Sequence, residues 1–298
     1  MMIAESLIVA LVILIIGSIT DMQKREVHDY VSYGLIFVAF GISLIYTVYY
    51  WNYYFIAQTI MGFIIGFAIA HVMFYLGQWG GGDSKLIMGL GAAVGFNVFK
   101  VFGEKNYWLL ILLIAIIFVG AIYGLFWSIY LAFKHRKEFV KSMKEWSEKK
   151  HIRTIRRILL VSVVFFIAAT LLFIRGETQI LLITLIAIMY MMFYMWLFVK
   201  VIEESCMVKK ISVSQVTEGD WVYQDVYALN KSHKKYIAGP KDLGISREQI
   251  ALLKKFNIKQ IVIKEGIPFI PAFLLAFIVI LMVYHNHLTL GNFFMYFF

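Results

Sequence analysis

Eight long, predominantly apolar stretches recur along the 298-residue chain, near 3–19, 31–50, 53–76, 84–102, 107–132, 158–174, 179–199 and 267–284. About 20 such residues carry a helix across the hydrocarbon, and helices and closed barrels are the folds that satisfy every backbone polar group there. The chain therefore reads as an all-α polytopic membrane protein of about six to eight transmembrane helices. The fourth stretch is the least apolar of them. An apolar content of 61%, against roughly 45–50% in soluble domains, agrees with this class. The first stretch carries Glu5 where a secretory signal carries basic residues, and no small-residue cleavage pattern precedes Asp21, so it is read as a retained span.

If the spans alternate, 25 of the 28 Lys and Arg residues fall on one side, leaving Lys100, Lys105 and Arg175 on the other. Basic loops stay cytoplasmic, so this asymmetry orients the chain with both termini outside. It also accounts for the net charge of +10. Basic residues beside membrane spans fit anionic lipid headgroups as partners, and no nucleic-acid motif accompanies them. The expected location is the plasma membrane, multi-pass, with the basic face in the cytoplasm. Cys206 is the sole cysteine, which excludes an internal disulfide and a Cys-rich zinc centre.

Two segments interrupt the spans. Residues 133–157 place Phe139, Met143 and Trp146 at spacings of three to four among charges, the pattern of an amphipathic helix near headgroups. Residues 202–266 alternate like strands in "DWVYQDVYAL" and "IKQIVIKEG" around a helical "SREQIALLKKF", where Ser246 and Gln249 fit a capping box. This is a small α+β cytoplasmic module. The organisation expected is a membrane core over 1–132, the basic segment 133–157, two further spans over 158–201, the module 202–266, and a final helix with an apolar interfacial tail over 267–298.

Within "GQWGGGDSKL", Asp83 follows Gly80, Gly81 and Gly82 at the start of the fourth span. A lone carboxylate there has a plain explanation as a helix cap. Asp21 changes the balance, because the charge count puts it at the same cytoplasmic level, at the end of the first span. Gly17 and Ser18 on that span, and Gly91 and Gly95 on the fourth, are small enough for the two helices to approach; Gly62 and Gly66 form a second such pair on the third. Two carboxylates sharing a site hold one proton between them near neutral pH. The ionised member takes a proton from water while the protonated one polarises a scissile carbonyl, which is aspartic-protease chemistry and requires no metal or other cofactor. Glycines beside Asp83 allow a backbone to pass close to an extended peptide.

These residues resemble a known family. Gly80, Gly82 and Asp83 match the GxGD motif of membrane aspartyl proteases, with Gly81 at the variable position, and "GDSK" is similar to the GDxK form of type IV prepilin and archaeal preflagellin peptidases. Asp21 with "MQKREV" resembles the first catalytic aspartate of that family, through Arg25 and Val27. "EGDWV", "AGPKDLGIS" and "IKEGIPFIPAF" resemble the module and final helix of archaeal members. The resemblance implies an endopeptidase with Asp21 and Asp83 catalytic. It implies precursors of archaellins or pilin-like proteins as substrates, each with a short basic leader before a hydrophobic helix. A tetracysteine domain, found in bacterial members, is absent, so their methyltransferase activity is not implied.

Other residues admit two readings. Lys85 either tunes the charge of the pair or snorkels to the interface. Glu26 and Asp29 either attract a basic leader or are solvated loop charges. His71 reads as a structural histidine, and Tyr75, Gln78 and Trp79 as cleft lining or interfacial anchors. Ser84 with Lys85 makes a poor serine nucleophile pair, since neighbours on a helix do not face each other. HExxH is absent. The non-enzymatic alternative is an ion- or proton-coupled transporter using the same aspartates, although transporters place such groups near the midplane.

Overall fold

The computed structural model describes residues 4–25, 27–97, 108–230 and 233–285. Glu26, the far end of the fourth apolar stretch and the tail beyond 285 lie outside them. Ten α-helices occur among the described residues: α1 (Ala4–Lys24), α2 (Asp29–Tyr49), α3 (Tyr54–Tyr75), α4 (Gly81–Val94), α5 (Trp108–Lys134), α6 (Arg136–Glu148), α7 (Lys150–Phe173), α8 (Glu177–Ser205), α9 (Arg247–Lys255) and α10 (Ile270–His285). Six of them (α1, α2, α3, α5, α7 and α8) are long and apolar enough to cross a membrane. The chain divides into two compact units, residues 1–125 with 266–298, and residues 126–265.

In the first unit the fourth stretch differs from the span expected over 84–102. Its helix, α4, starts at Gly81, runs 14 residues, and stops where Gly95 takes a left-handed φ of 72°. At 1.5 Å per residue that is about 21 Å, short of the ~30 Å hydrocarbon. Lower apolarity follows from position, because α4 is enclosed by protein rather than lipid: Leu86, Ile87 and Leu90 are almost completely buried, and Ala92 and Ala93 with them. Closure against α3 depends on glycine. A Cβ on Gly62 would collide with the Gly91 carbonyl oxygen, one on Gly91 with the Gly62 carbonyl oxygen, and one on Gly66 would lie 2.7 Å from the Ile87 oxygen. The paired small residues of α3 and α4 thus bring the two backbones into contact. Gly91 and Gly95, expected to face α1, face α3 instead, Gly95 lying over Gln58.

α10 packs along α1, with Phe273 and Phe277 buried in the core beside Leu14 and Leu86. At 16 residues it too is shorter than the six long spans.

In the second unit α6 is amphipathic, and its Phe139, Met143 and Trp146 pack against Ile152 of α7 and Leu197 and Val201 of α8. The Trp146 indole N–H donates to Glu204 Oε2 at 2.9 Å. The polar segment forms the expected α+β module. β1 (Val208–Ser212), β5 (Gln260–Lys264) and β2 (Trp221–Val222) make an antiparallel sheet in the order β1-β5-β2, and β3 (Val226–Asn230) pairs with β4 (His233–Ala238) as a hairpin. α9 opens with the anticipated capping box: Ser246 Oγ accepts from Gln249 N at 3.2 Å, and Ser246 N donates to Gln249 Oε1 at 2.8 Å. Val222, Ala238, Leu253 and Ile261 are among its buried core residues.

Candidate active site

Gly17 is a buried residue of α1. A Cβ placed there would make ordinary van der Waals contact with Ile270 Cγ2 of α10 at 3.4 Å and with Leu86 Cδ1 of α4 at 3.7 Å, so three helices meet around this position. Three short connections reverse the chain between α1 and α4, which makes those two helices antiparallel. One turn onward from Gly17 along α1 is Asp21, and about one turn back from Leu86 along α4 is Asp83, so the two carboxylates occupy the same level. They lie within electrostatic reach of each other.

Each aspartate is fixed by a backbone donor. Asp21, 7% exposed, accepts from the Ile270 N–H through Oδ2 at 3.0 Å, across 249 residues of sequence. Asp83 accepts from the Gly80 N–H through Oδ2 at 3.1 Å, the return half of a capping box. The plain explanation of Asp83 as a cap is therefore true as well, and it sets the side-chain direction.

The glycines divide in their roles. A Cβ on Gly82 would sit 3.2 Å from Val27 Cβ, whereas one on Gly81 would meet nothing within 4 Å. The motif's variable position is thus the open one. Gly82 lets α4 start hard against the α1–α2 connection.

Arg25, with a left-handed φ of 58°, donates from Nη1 to the Gly266 carbonyl at 2.5 Å, and its charge acts on Asp21. Lys85 turns to α2, with Nζ 2.5 Å from Asp29 Oδ1 and 5.0 Å from the centre of the Tyr33 ring. Two of the expected site residues, Lys85 and Asp29, are therefore partners of each other. Trp79 is buried edge-to-face on Phe273 with centroids 5.5 Å apart, while Tyr75 is 63% exposed and meets His71 at 5.0 Å. Glu26 lies outside the described residues.

Two components escape a motif reading. The stretch from Gly266 to Ile270 supplies a carbonyl to Arg25 and an amide to Asp21; its signal was Pro268 and Pro271 flanking a helix start on the face that holds Asp21. Tyr123 of α5 lies within electrostatic reach of Asp21 and Arg25, and its hydroxyl is 3.9 Å from Met22 Sδ. A tyrosine inside an apolar span carries no periodic signal that marks it.

Comparison with known proteins bears on the same region. Residues 8–125 match the model of the type IV leader peptidase family. A preflagellin peptidase of Methanococcus voltae is 34% identical over 139 residues, 44% of this chain and 58% of the relative. One from Methanocaldococcus jannaschii is 45% identical over 91 residues, 29% of this chain and 37% of the relative. One from Methanococcus maripaludis is 37% identical over 87 residues, 27% of this chain and 35% of the relative. The matched stretch spans little more than half the length of the first relative and about a third of the other two. No solved structure matches. The resemblance read from the two aspartate motifs holds: the segment 8–125, which contains α1 to α4 and both aspartates, is similar to the type IV leader peptidase family.

Proposed function

We propose that this chain is a membrane-embedded aspartic endopeptidase that removes short basic leaders from archaellin or pilin-like precursors at the cytoplasmic face, with Asp21 and Asp83 as the catalytic pair. The observation that carries this reading is the common level of the two carboxylates at the ends of antiparallel helices, each held by a backbone amide. The names of the relatives support the substrate class, and the sided distribution of Lys and Arg supports the orientation.

The chemistry follows from one shared proton. The ionised carboxylate takes a proton from water as the water oxygen bonds to the scissile carbonyl carbon; the protonated one gives its proton to the carbonyl oxygen. On collapse the leaving nitrogen receives the first proton, a gem-diol hydroxyl returns one to the second carboxylate, and the C–N bond breaks. Asp29, its side chain 67% exposed, offers charge to a basic leader in exchange for Lys85, and Glu26 of the same connection adds to it.

The test is processing of a precursor with a basic leader and a hydrophobic helix by the full chain in detergent. Asp21→Ala and Asp83→Ala should each lower the rate by at least the order of 10²–10⁴ typical of a lost general acid or base. Equal processing by all three proteins sinks the pair. Aspartate-dependent proton flux in liposomes without cleavage would instead favour a transporter.

A further inference from the structure

The two aspartates are not placed alike, and we propose that Asp21 is the ionised, water-activating member of the pair and Asp83 the protonated one, a division set by the first turn of α10 together with Arg25. The inference rests on the peptidase reading and deepens it.

The donor to Asp21 is the amide of Ile270, the first residue of α10. That N–H has no acceptor inside its own helix and stands at the positive end of the helix dipole. Asp83 also sits in a first turn, that of α4, so helix dipoles alone do not separate the pair. The guanidinium does. Arg25, one turn beyond Asp21, acts on its carboxylate and ties down Gly266, four residues before Ile270. The cation nearest Asp83 in sequence, Lys85, is committed to Asp29. Asp21 thus combines a tertiary amide with a cation, while Asp83 accepts the Gly80 amide of its own helix start.

Among the described residues, the charged and titratable groups around the pair are Arg25 just beyond α1, Tyr123 on α5 and the Asp29–Lys85 pair on α2 and α4. α3 carries His71 and Tyr75, whose rings meet edge to face. α10 approaches Asp21 through its backbone. Arg25 and the Ile270 amide are positioning elements, since neither is a proton donor to substrate in the scheme above.

The experiment is the pH dependence of kcat/KM for leader removal by the full chain in detergent. For a pair sharing one proton, the acidic limb reports ionisation of the member that works as carboxylate, and the alkaline limb loss of the proton from the other. Ile270→Pro removes the N–H at a helix position that tolerates proline. It should move the acidic limb up by about 0.5–1 pH unit and leave the alkaline limb in place, in line with the effect of amide donors on carboxylates. Arg25→Gln should move the same limb in the same direction. Ile270→Ala, which keeps the N–H, should retain both wild-type limbs even where loss of its buried side chain lowers the yield of folded protein. Gly80→Pro is the mirror variant: Gly80 already has φ −71°, and losing its N–H should move the alkaline limb up alone.

Exchange of the two limbs between the Ile270→Pro and Gly80→Pro variants overturns the assignment, as does a profile that none of these variants moves. Should Ile270→Pro fail to fold, Arg25→Gln and Gly80→Pro decide by the same criteria. Undiminished cleavage by Asp21→Asn and Asp83→Asn, by contrast, defeats the peptidase pair itself, and is a separate result from an unmoved limb in an active enzyme.

Discussion

Helices α4 and α8 solve opposite problems. Nine of the 14 residues of α4 are buried, against Leu197, Val201 and Ile202 alone among the 29 of α8. α8 presents large side chains outward, including Ile180, Met191 and Met192, in the manner of a lipid-facing span. α4 instead surrenders side-chain volume at Gly89 and Gly91 so that Leu35 of α2 and the α3 backbone reach it. The lesson concerns the site: a helix that must hold a carboxylate against a partner is built for close approach, and one that only crosses lipid is built for apolar surface.

The sharpest way to break that contrast is to thicken α4's contact. Gly62→Leu drives a side chain into the Gly91 carbonyl, where backbone has no rotamer with which to yield. The expected cost exceeds about 3 kcal/mol, the upper end of ordinary overpacking, with loss of cleavage. Met192→Leu, at a residue 64% exposed on α8, should stay within about 0.5 kcal/mol. Thermal unfolding in mild detergent measures both. Similar midpoints for the two variants would show that the α3–α4 backbone contact is not what holds the site's scaffold.

Next in size is a split within the glycine run. Gly82→Val must displace Val27, whose Cβ is 3.2 Å from the position of a new Cβ, and so shifts the start of α4 and with it Asp83. A misplacement of about 1 Å near the chemistry costs on the order of 10²-fold in rate. Gly81→Ala enters open space and should leave the rate within about twofold, helped by the better helix propensity of alanine. Equal losses at both positions would mean that the run serves flexibility rather than packing.

Much of this was legible in the residues. The polytopic helical class, six of the eight apolar stretches as long helices, and the Ser246 capping box follow from local pattern. What was not legible required knowing which helix faces which. The small residues of α4 announce a close contact but not its partner, and α3 takes Gly91 because Gly62 and Gly66 offer a matching groove. Residues 84–102 look like a weak span because apolarity alone cannot tell a helix wrapped in protein from one in lipid. The bond from Ile270 to Asp21 joins residues 249 apart, beyond any periodicity.

A smaller effect is expected at the rim of the site. The Lys85–Asp29 pair is partly exposed, at 27% and 67% of the two side chains, so Asp29→Asn should cost only ~0.2–1 kcal/mol, and less as salt is raised. A loss of several kcal/mol, measured by unfolding at low and high ionic strength, would mark Lys85 as a structural strut for α4 rather than a rim contact.

The smallest effect belongs to the polar module, where ionisation is governed by neighbours facing water. Asp242 Oδ2 accepts from the Tyr236 hydroxyl at 2.9 Å, from Gly239 N at 3.0 Å and from Gln249 Nε2 at 3.0 Å. Partial burial, then that hydrogen bond and the charges of Asp242 and Asp225, push the Tyr236 phenol up to about 12 from its ordinary 10.0. The folded state thus holds the proton more tightly than the unfolded chain, so the contribution is complete below pH 10 and disappears as pH rises through about 12. Tyr236 is 39% exposed, so solvent screening keeps the effect small. Tyr236→Phe should flatten the fall in stability across that window and remove one late step from the phenolate absorbance titration. An unchanged titration above pH 11 would assign the late step to another tyrosine and detach the Asp242 network from the alkaline limit of the module.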